Sequence, residues 1–60
     1  MIQLGDDVQK VKGYKYPGTV VAVFKTLRGE KRFVVEATGK EYQGMLHIFN
    51  EEQLTQEGVQ

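Results

Sequence analysis

Thr19-Val20-Val21-Ala22-Val23-Phe24-Lys25-Thr26 is the clearest strand-forming segment of this 60-residue chain, and it sets the expected fold class. Six of its eight residues are β-branched or aromatic, which favours extended backbone. A second segment of this kind, Lys31-Arg32-Phe33-Val34-Val35-Glu36, follows after Leu27-Arg28-Gly29-Glu30, where Gly29 is free to adopt a positive φ. The two segments therefore predict a β-hairpin.

Weaker strand signals lie on both sides of this hairpin. Val8-Gln9-Lys10-Val11 predicts a first strand, Met45-Leu46-His47-Ile48-Phe49 a fourth, and Leu54 a short fifth. Asn50, followed three residues later by Gln53, is typical of an N-cap on a single helical turn. The pattern predicts an all-β fold: a single five-stranded SH3-like barrel with one short 3₁₀ or helical turn before the last strand.

Size and composition restrict what such a barrel can do. We expect one domain over residues 1–60, with an ordered core from about residue 4 to 56 and a frayed end from Glu57. The chain has no Cys and one His, so disulfides and thiolate zinc sites are excluded, and we expect no metal. Self-association is the remaining way for a small domain to gain stability. Because no membrane-spanning or signal-peptide pattern is present, we expect a cytoplasmic protein without a membrane partner.

The charges cancel overall but are unevenly distributed. Residues 1–40 hold all eight basic and four acidic residues (+4), whereas residues 41–60 hold four acidic residues and no basic one (−4). Nucleic-acid binding requires a basic surface, so the zero net charge argues against a nucleic-acid partner. The uneven distribution has two explanations. The two oppositely charged parts of the chain attract each other across a solvated surface, or a few lysines line a site for an anion.

The predicted fourth strand is apolar on both sides. Alternate side chains of a strand point to opposite faces, so Leu46 and Ile48 share one face, and Met45, His47 and Phe49 share the other. We expect Leu46 and Ile48 to fill the core, which turns His47 and Phe49 outward to face a partner. The alternative is a flattened barrel that buries both faces, with a hydrogen-bonded histidine in its core.

The sequence lacks the nucleophile–histidine pairs that hydrolases use. The chain lacks Ser and Cys, so His47 cannot join a Ser–His or Cys–His pair. The adjacent carboxylates Asp6-Asp7 and Glu51-Glu52 are expected in turns or caps. A chain of this size cannot enclose a ligand pocket of roughly 300–1,000 Å³, whereas several copies around an axis can.

Several motifs together resemble a known family. They are Gly5-Asp6-x-Val8-x-Lys10, then Gly13, Tyr16, Gly18 and Val20-Val21, and later Gly44 ahead of Leu46-His47-Ile48-Phe49. From Gly5 to Leu54 the chain resembles the plasmid-borne type II (R67-type) dihydrofolate reductases, which are SH3-like barrels assembled as homotetramers around one pore. Their Val-Gln-Ile-Tyr strand corresponds to Leu46-His47-Ile48-Phe49, in which only Ile48 is identical. Tyr16 replaces a tryptophan that makes an interface contact.

The resemblance implies hydride transfer from NADPH to dihydrofolate, with trimethoprim resistance as its biological consequence. It implies catalytic roles for His47, Ile48 and Phe49, and cofactor-binding roles for Lys10, Leu46, His47, Ile48 and Phe49. Lys10 would attract the phosphates at the pore mouth, and His47 would lie on the pore wall. Ile48 would offer backbone groups to the nicotinamide amide, and Phe49 would flank the cofactor. No side chain would donate a proton, so catalysis would come from the placement of the two ligands.

A non-catalytic SH3-like module of the KOW type is the competing hypothesis. It would bind a protein or a nucleic acid, with charge from Lys10, Lys12 and Lys15 and stacking surfaces from Tyr14, Tyr16 and Phe49. A purely structural oligomer is a third reading.

Overall fold

Five antiparallel strands and one 3₁₀ turn make up the part of the chain that the structure, a computed structural model, describes: residues 2–13 and 15–56. The elements are β1 (Asp7–Lys10), β2 (Pro17–Lys25), β3 (Lys31–Ala37), β4 (Leu46–Phe49), the 3₁₀ turn (Glu51–Gln53) and β5 (Leu54–Gln56). The predicted all-β class, with five strands and one short turn before the last, is confirmed. The predictions for Tyr14 and for the end beyond Gln56 lie outside the described residues.

The strands form one sheet in the order β4-β3-β2-β1-β5. The long strand β2 pairs with β1 through its first residues and with β3 along most of its length. Strands β4 and β5 are the two edges, and within the described residues no ladder joins them, so closure into a barrel stays a prediction. The described residues include no helix of the length and apolarity that crossing a membrane requires.

Two local predictions are confirmed in the connections between strands. Gly29 has a φ of +86°, its N–H donates to the Thr26 carbonyl, and the Thr26 N–H donates to the Glu30 carbonyl. Asn50 caps the 3₁₀ turn: its Oδ1 accepts from the Gln53 N–H at 3.0 Å, and its own N–H donates to Gln53 Oε1 at 2.9 Å. Both features depend on residues close in sequence, which is why the sequence predicts them.

A β-bulge in β2 changes which of its side chains face the core. Strict alternation places Val20 and Ala22 on the same face, but the register shifts between them. Val20 pairs with Val35 and is buried, whereas Ala22 pairs with Val34 and shares the opposite face with exposed Val21. Val20 and Ala22 therefore lie on opposite faces, because the bulge adds one residue to β2 opposite β3.

The faces of β4 are the reverse of those predicted. Phe49 is 3% exposed and pairs with Phe33 in the core, whereas Leu46 and Ile48 are 60% and 55% exposed. Directly opposed residues share a face of the sheet, so the partner of a buried Phe33 is also turned inward. The predictions that Leu46 and Ile48 fill the core and that Phe49 points outward are wrong. The core consists of Ile2, Val8, Tyr16, Val20, Phe33, Val35, Ala37, Phe49 and Leu54.

Candidate functional site

Three aromatic rings meet beside β4. The ring centroids of Tyr16 and His47 are 5.3 Å apart, those of Tyr16 and Phe49 5.3 Å, and those of His47 and Phe49 5.0 Å. Tyr16 meets both other rings edge to face, which is a favourable arrangement for aromatic pairs. His47 is exposed, as predicted, although it lies on the same side of β4 as buried Phe49. One side of the imidazole therefore rests on a rigid support while another is open to solvent.

Tyr16 fixes the start of β4 to the rest of the sheet. Its hydroxyl donates to the Met45 carbonyl at 2.8 Å and lies 3.3 Å from the Val35 carbonyl, and its side chain is fully buried. In the single chain Tyr16 has no exposed surface, so the interface contact that the resemblance implies for it stays a prediction without support from its burial. The expectation that Tyr16 and Phe49 offer stacking surfaces is wrong, because both rings are covered.

We expect Tyr16→Phe to lower the free energy of unfolding by about 0.5–1.5 kcal/mol, since the hydrogen bonds of the Tyr16 hydroxyl to the Met45 and Val35 carbonyls are lost. Urea denaturation at one protein concentration measures the change. The matched control is Tyr42→Phe, since Tyr42 is 45% exposed and a surface change of this kind stays within about 0.5 kcal/mol. Equal midpoints for the two variants would contradict the role assigned to the Tyr16 hydroxyl.

The open edge of β4 presents backbone groups of Leu46 and Ile48. The Ala37 N–H donates to the Met45 carbonyl at 2.8 Å, and the same register continues along the ladder between β3 and β4. In an antiparallel pair only alternate residues bond to the neighbouring strand, so His47 and Phe49 bond to β3. The N–H and C=O groups of Leu46 and Ile48 therefore point away from the sheet, where a ligand or another chain can reach them.

Lys10 lines a solvent-open hollow together with Asn50, the residue that follows β4. The volume of the hollow is about 340 Å³, and it is lined by Lys10, Val11, Lys12, Asn50, Glu52 and Gln53. The Lys10 ammonium donates to the Lys12 carbonyl at 2.7 Å, and the Val11 N–H donates to the Gln53 carbonyl at 2.9 Å. Sequence reasoning missed the contribution of Lys12 and Asn50, because only the contact between β1 and the 3₁₀ turn brings them together.

The expected place of the adjacent carboxylates in turns or caps is confirmed for Glu51 and Glu52, which lie in the 3₁₀ turn, and is wrong for Asp7, the first residue of β1. Asp6 and Asp7 both accept hydrogen bonds that hold the fold together. Asp6 Oδ2 accepts from the Gln3 N–H at 2.8 Å and from Gln56 Nε2 at 2.6 Å. Asp7 Oδ1 accepts from the Thr19 hydroxyl at 3.1 Å. In residues 2–13 and 15–56, no three His, Cys, Asp or Glu side chains are close enough together to hold a metal ion.

Comparison with protein-family models, with characterised proteins and with solved structures gives no significant match for this chain. Its function must therefore be argued from the residues and geometry of the site.

Proposed function

We propose that this protein is an NADPH-dependent dihydrofolate reductase of the type II kind, active in the cytoplasm as a homotetramer whose β4 strands line a shared pore. The observation that carries the proposal is the open edge of β4. There an exposed imidazole, His47, stands next to the outward-facing backbone groups of Ile48. These are the two groups that the resemblance requires on the wall of a pore.

The need for several copies follows from the shape of the single chain. Ligand sites bury most of the surface of a small molecule, and a dinucleotide together with a pterin needs an enclosed space. The hollow of about 340 Å³ beside Lys10 is open to solvent. Copies arranged around an axis enclose a larger space and repeat each site residue once per chain.

Each site residue has a defined task in this proposal. Neutral His47 offers one donor and one acceptor, as the glutamine of the family does. The backbone of Ile48 binds the carboxamide, and Leu46 adjoins it on the same edge. Lys10 attracts the phosphates, while Phe49 lies behind the imidazole and positions it. NADPH supplies the hydride when bound, and the rate depends on holding it next to the pterin.

The direct test is oxidation of NADPH in the presence of dihydrofolate, at high protein concentration and near neutral pH. We expect turnover by the wild type and a loss of most of it in His47→Ala purified in the same way. The His47→Ala preparation also measures any background from the host. The proposal fails if the oligomeric wild type shows no turnover above that background.

We expect Lys10→Met to weaken NADPH binding by roughly 10- to 100-fold at low salt, because a charge-assisted contact to phosphate contributes roughly 1.5–3 kcal/mol. The dependence of affinity on salt concentration should also become shallower. Fluorescence titration with NADPH at several salt concentrations measures both effects. Lys31→Met removes an equal charge from an exposed position at the start of β3 and is the control. A salt dependence unchanged from that of the wild type would refute the phosphate role of Lys10.

One observation favours a binding module as the second candidate. Tyr42, which is 45% exposed, borders an open hollow of about 220 Å³ that is also lined by Lys15, Pro17, Gly39, Lys40 and Glu41. An exposed aromatic ring with two lysines and one carboxylate nearby offers stacking and a small excess of positive charge, the two means by which single-stranded nucleic acid is bound. A salt-dependent gel shift that disappears in Tyr42→Ala, with no NADPH turnover, would favour this function.

A further inference from the structure

The sheet has an apolar face turned away from the core, which we call the outer face. It carries Val21, Ala22, Phe24, Val34, Leu46 and Ile48. Phe24 is 42% exposed, and Leu46 and Ile48 are more than half exposed. Apolar side chains scattered singly over a surface are normal, but these are contiguous across three neighbouring strands.

Two opposite charges lie on the outer face at equal distances from its centre. Arg32, Val34 and Glu36 alternate along β3 and therefore point to the same side. Arg32 pairs with Phe24 on β2, and Glu36 pairs with Leu46 on β4. Along β3 the outer face thus runs from Arg32 through an apolar centre to Glu36. The Arg32 guanidinium also donates to Glu30 Oε1 of the same chain at 3.1 Å.

We propose that the outer face is the interface between two copies of this chain, related by a two-fold axis that lies between the two packed faces. The axis passes over Val34, perpendicular to β3 and parallel to the sheet. Such an axis reverses the direction of β3, so Arg32 of each copy meets Glu36 of the other, which joins the ion pair with Glu30. An axis along the strand would instead bring like charges together. The inference rests on the proposed function only because both require self-association. It identifies the surface through which two copies associate.

A second copy would cover the apolar side chains of this face and match its charges. Phe24, Leu46 and Ile48 are 42%, 60% and 55% exposed in the single chain, and packing two outer faces together removes them from water. The dimer covers Leu46 and Ile48 side chains but leaves His47 and the backbone edge of β4 open, where further copies complete a pore.

A charge exchange tests the predicted axis. Because the two-fold axis repeats each contact, we expect Glu36→Arg and Arg32→Glu each to weaken self-association by at least tenfold. The double variant with both substitutions should return to within about threefold of the wild type. Sedimentation velocity over a range of protein concentrations measures association. Glu41→Arg, an exposed charge reversal outside the outer face, should leave association unchanged.

A second variant tests the apolar part of the interface. Ile48→Lys places a charge next to Val34 on the outer face, where it remains solvated in the single chain, so we expect a folded monomer. Circular dichroism at low concentration confirms folding of each variant. The inference is overturned if the wild type is monomeric, or if the folded double variant stays as dissociated as the single variants.

The outcomes also separate this inference from the proposed function. If association responds to the charge exchange as expected but the wild type shows no NADPH turnover, the reductase proposal is rejected and the interface is supported. If the wild type turns over NADPH and its association is unchanged by the charge exchange and by Ile48→Lys, the interface is rejected and the reductase proposal is supported.

Discussion

Gly18→Ala is expected to unfold most of the protein under conditions in which the wild type is folded. An added Cβ at Gly18 would lie 2.5 Å from the Glu36 carbonyl oxygen and 2.6 Å from Val35 Cγ1. The first contact is with backbone inside the ladder between β2 and β3, which cannot rotate away as a side chain can. We expect a loss of more than about 3 kcal/mol, against a total stability of roughly 3–9 kcal/mol for a chain of this length.

Gly39→Ala is the matched control for this prediction. Its Cβ would meet Pro17 Cγ at 3.5 Å, which is an ordinary van der Waals contact, and its φ is not in the left-handed region. We expect a change within about 1 kcal/mol. Urea denaturation of both variants at a single protein concentration measures the difference. Similar midpoints for the two alanine variants would show that β2 and β3 do not approach each other as closely as the structure indicates.

Phe33→Ala is expected to cost about 3–5 kcal/mol, because it leaves a cavity at the centre of the core. Phe33 is fully buried and pairs with Val23 on one side and Phe49 on the other. A loss of this size is comparable with the whole stability of a small domain. Circular dichroism and urea denaturation should therefore show a largely unfolded variant near 37 °C.

Phe24→Ala removes the same side chain from the outer face and is the control for Phe33→Ala. Phe24 is 42% exposed, so at low concentration we expect the variant to lose less than about 1 kcal/mol. Its self-association should weaken, since Phe24 belongs to the proposed interface. If the two alanine variants were destabilised equally at low concentration, the assignment of Phe33 to the core would be wrong.

The strands, turns and caps that depend on neighbouring residues could be predicted from the sequence. The hairpin of β2 and β3, the positive φ at Gly29 and the Asn50 cap each depend on residues a few positions apart. The bulge at Val21 was not predictable. It depends on how β2 pairs with β3, and the uniform run of β-branched residues gives no sequence pattern that indicates its position.

The candidate site was predictable only in part. The sequence singled out His47 as an exposed group on β4, and the structure agrees. The buried position of Tyr16 and its hydrogen bond to the Met45 carbonyl join residues 29 positions apart, so no local pattern reveals them. The same holds for the hollow that Lys10 shares with Asn50.

The amino-acid sequence alone was sufficient for the strands, the turns and the all-β class, because period-two patterns, glycines and caps act over short distances. It was not sufficient for the strand Leu46-His47-Ile48-Phe49, which is apolar on both sides. Alternation separates its side chains into two sets without saying which set is inside. The tertiary structure decided this, because the pairing of Phe49 with buried Phe33 turns Phe49 inward and leaves Leu46 and Ile48 for a partner.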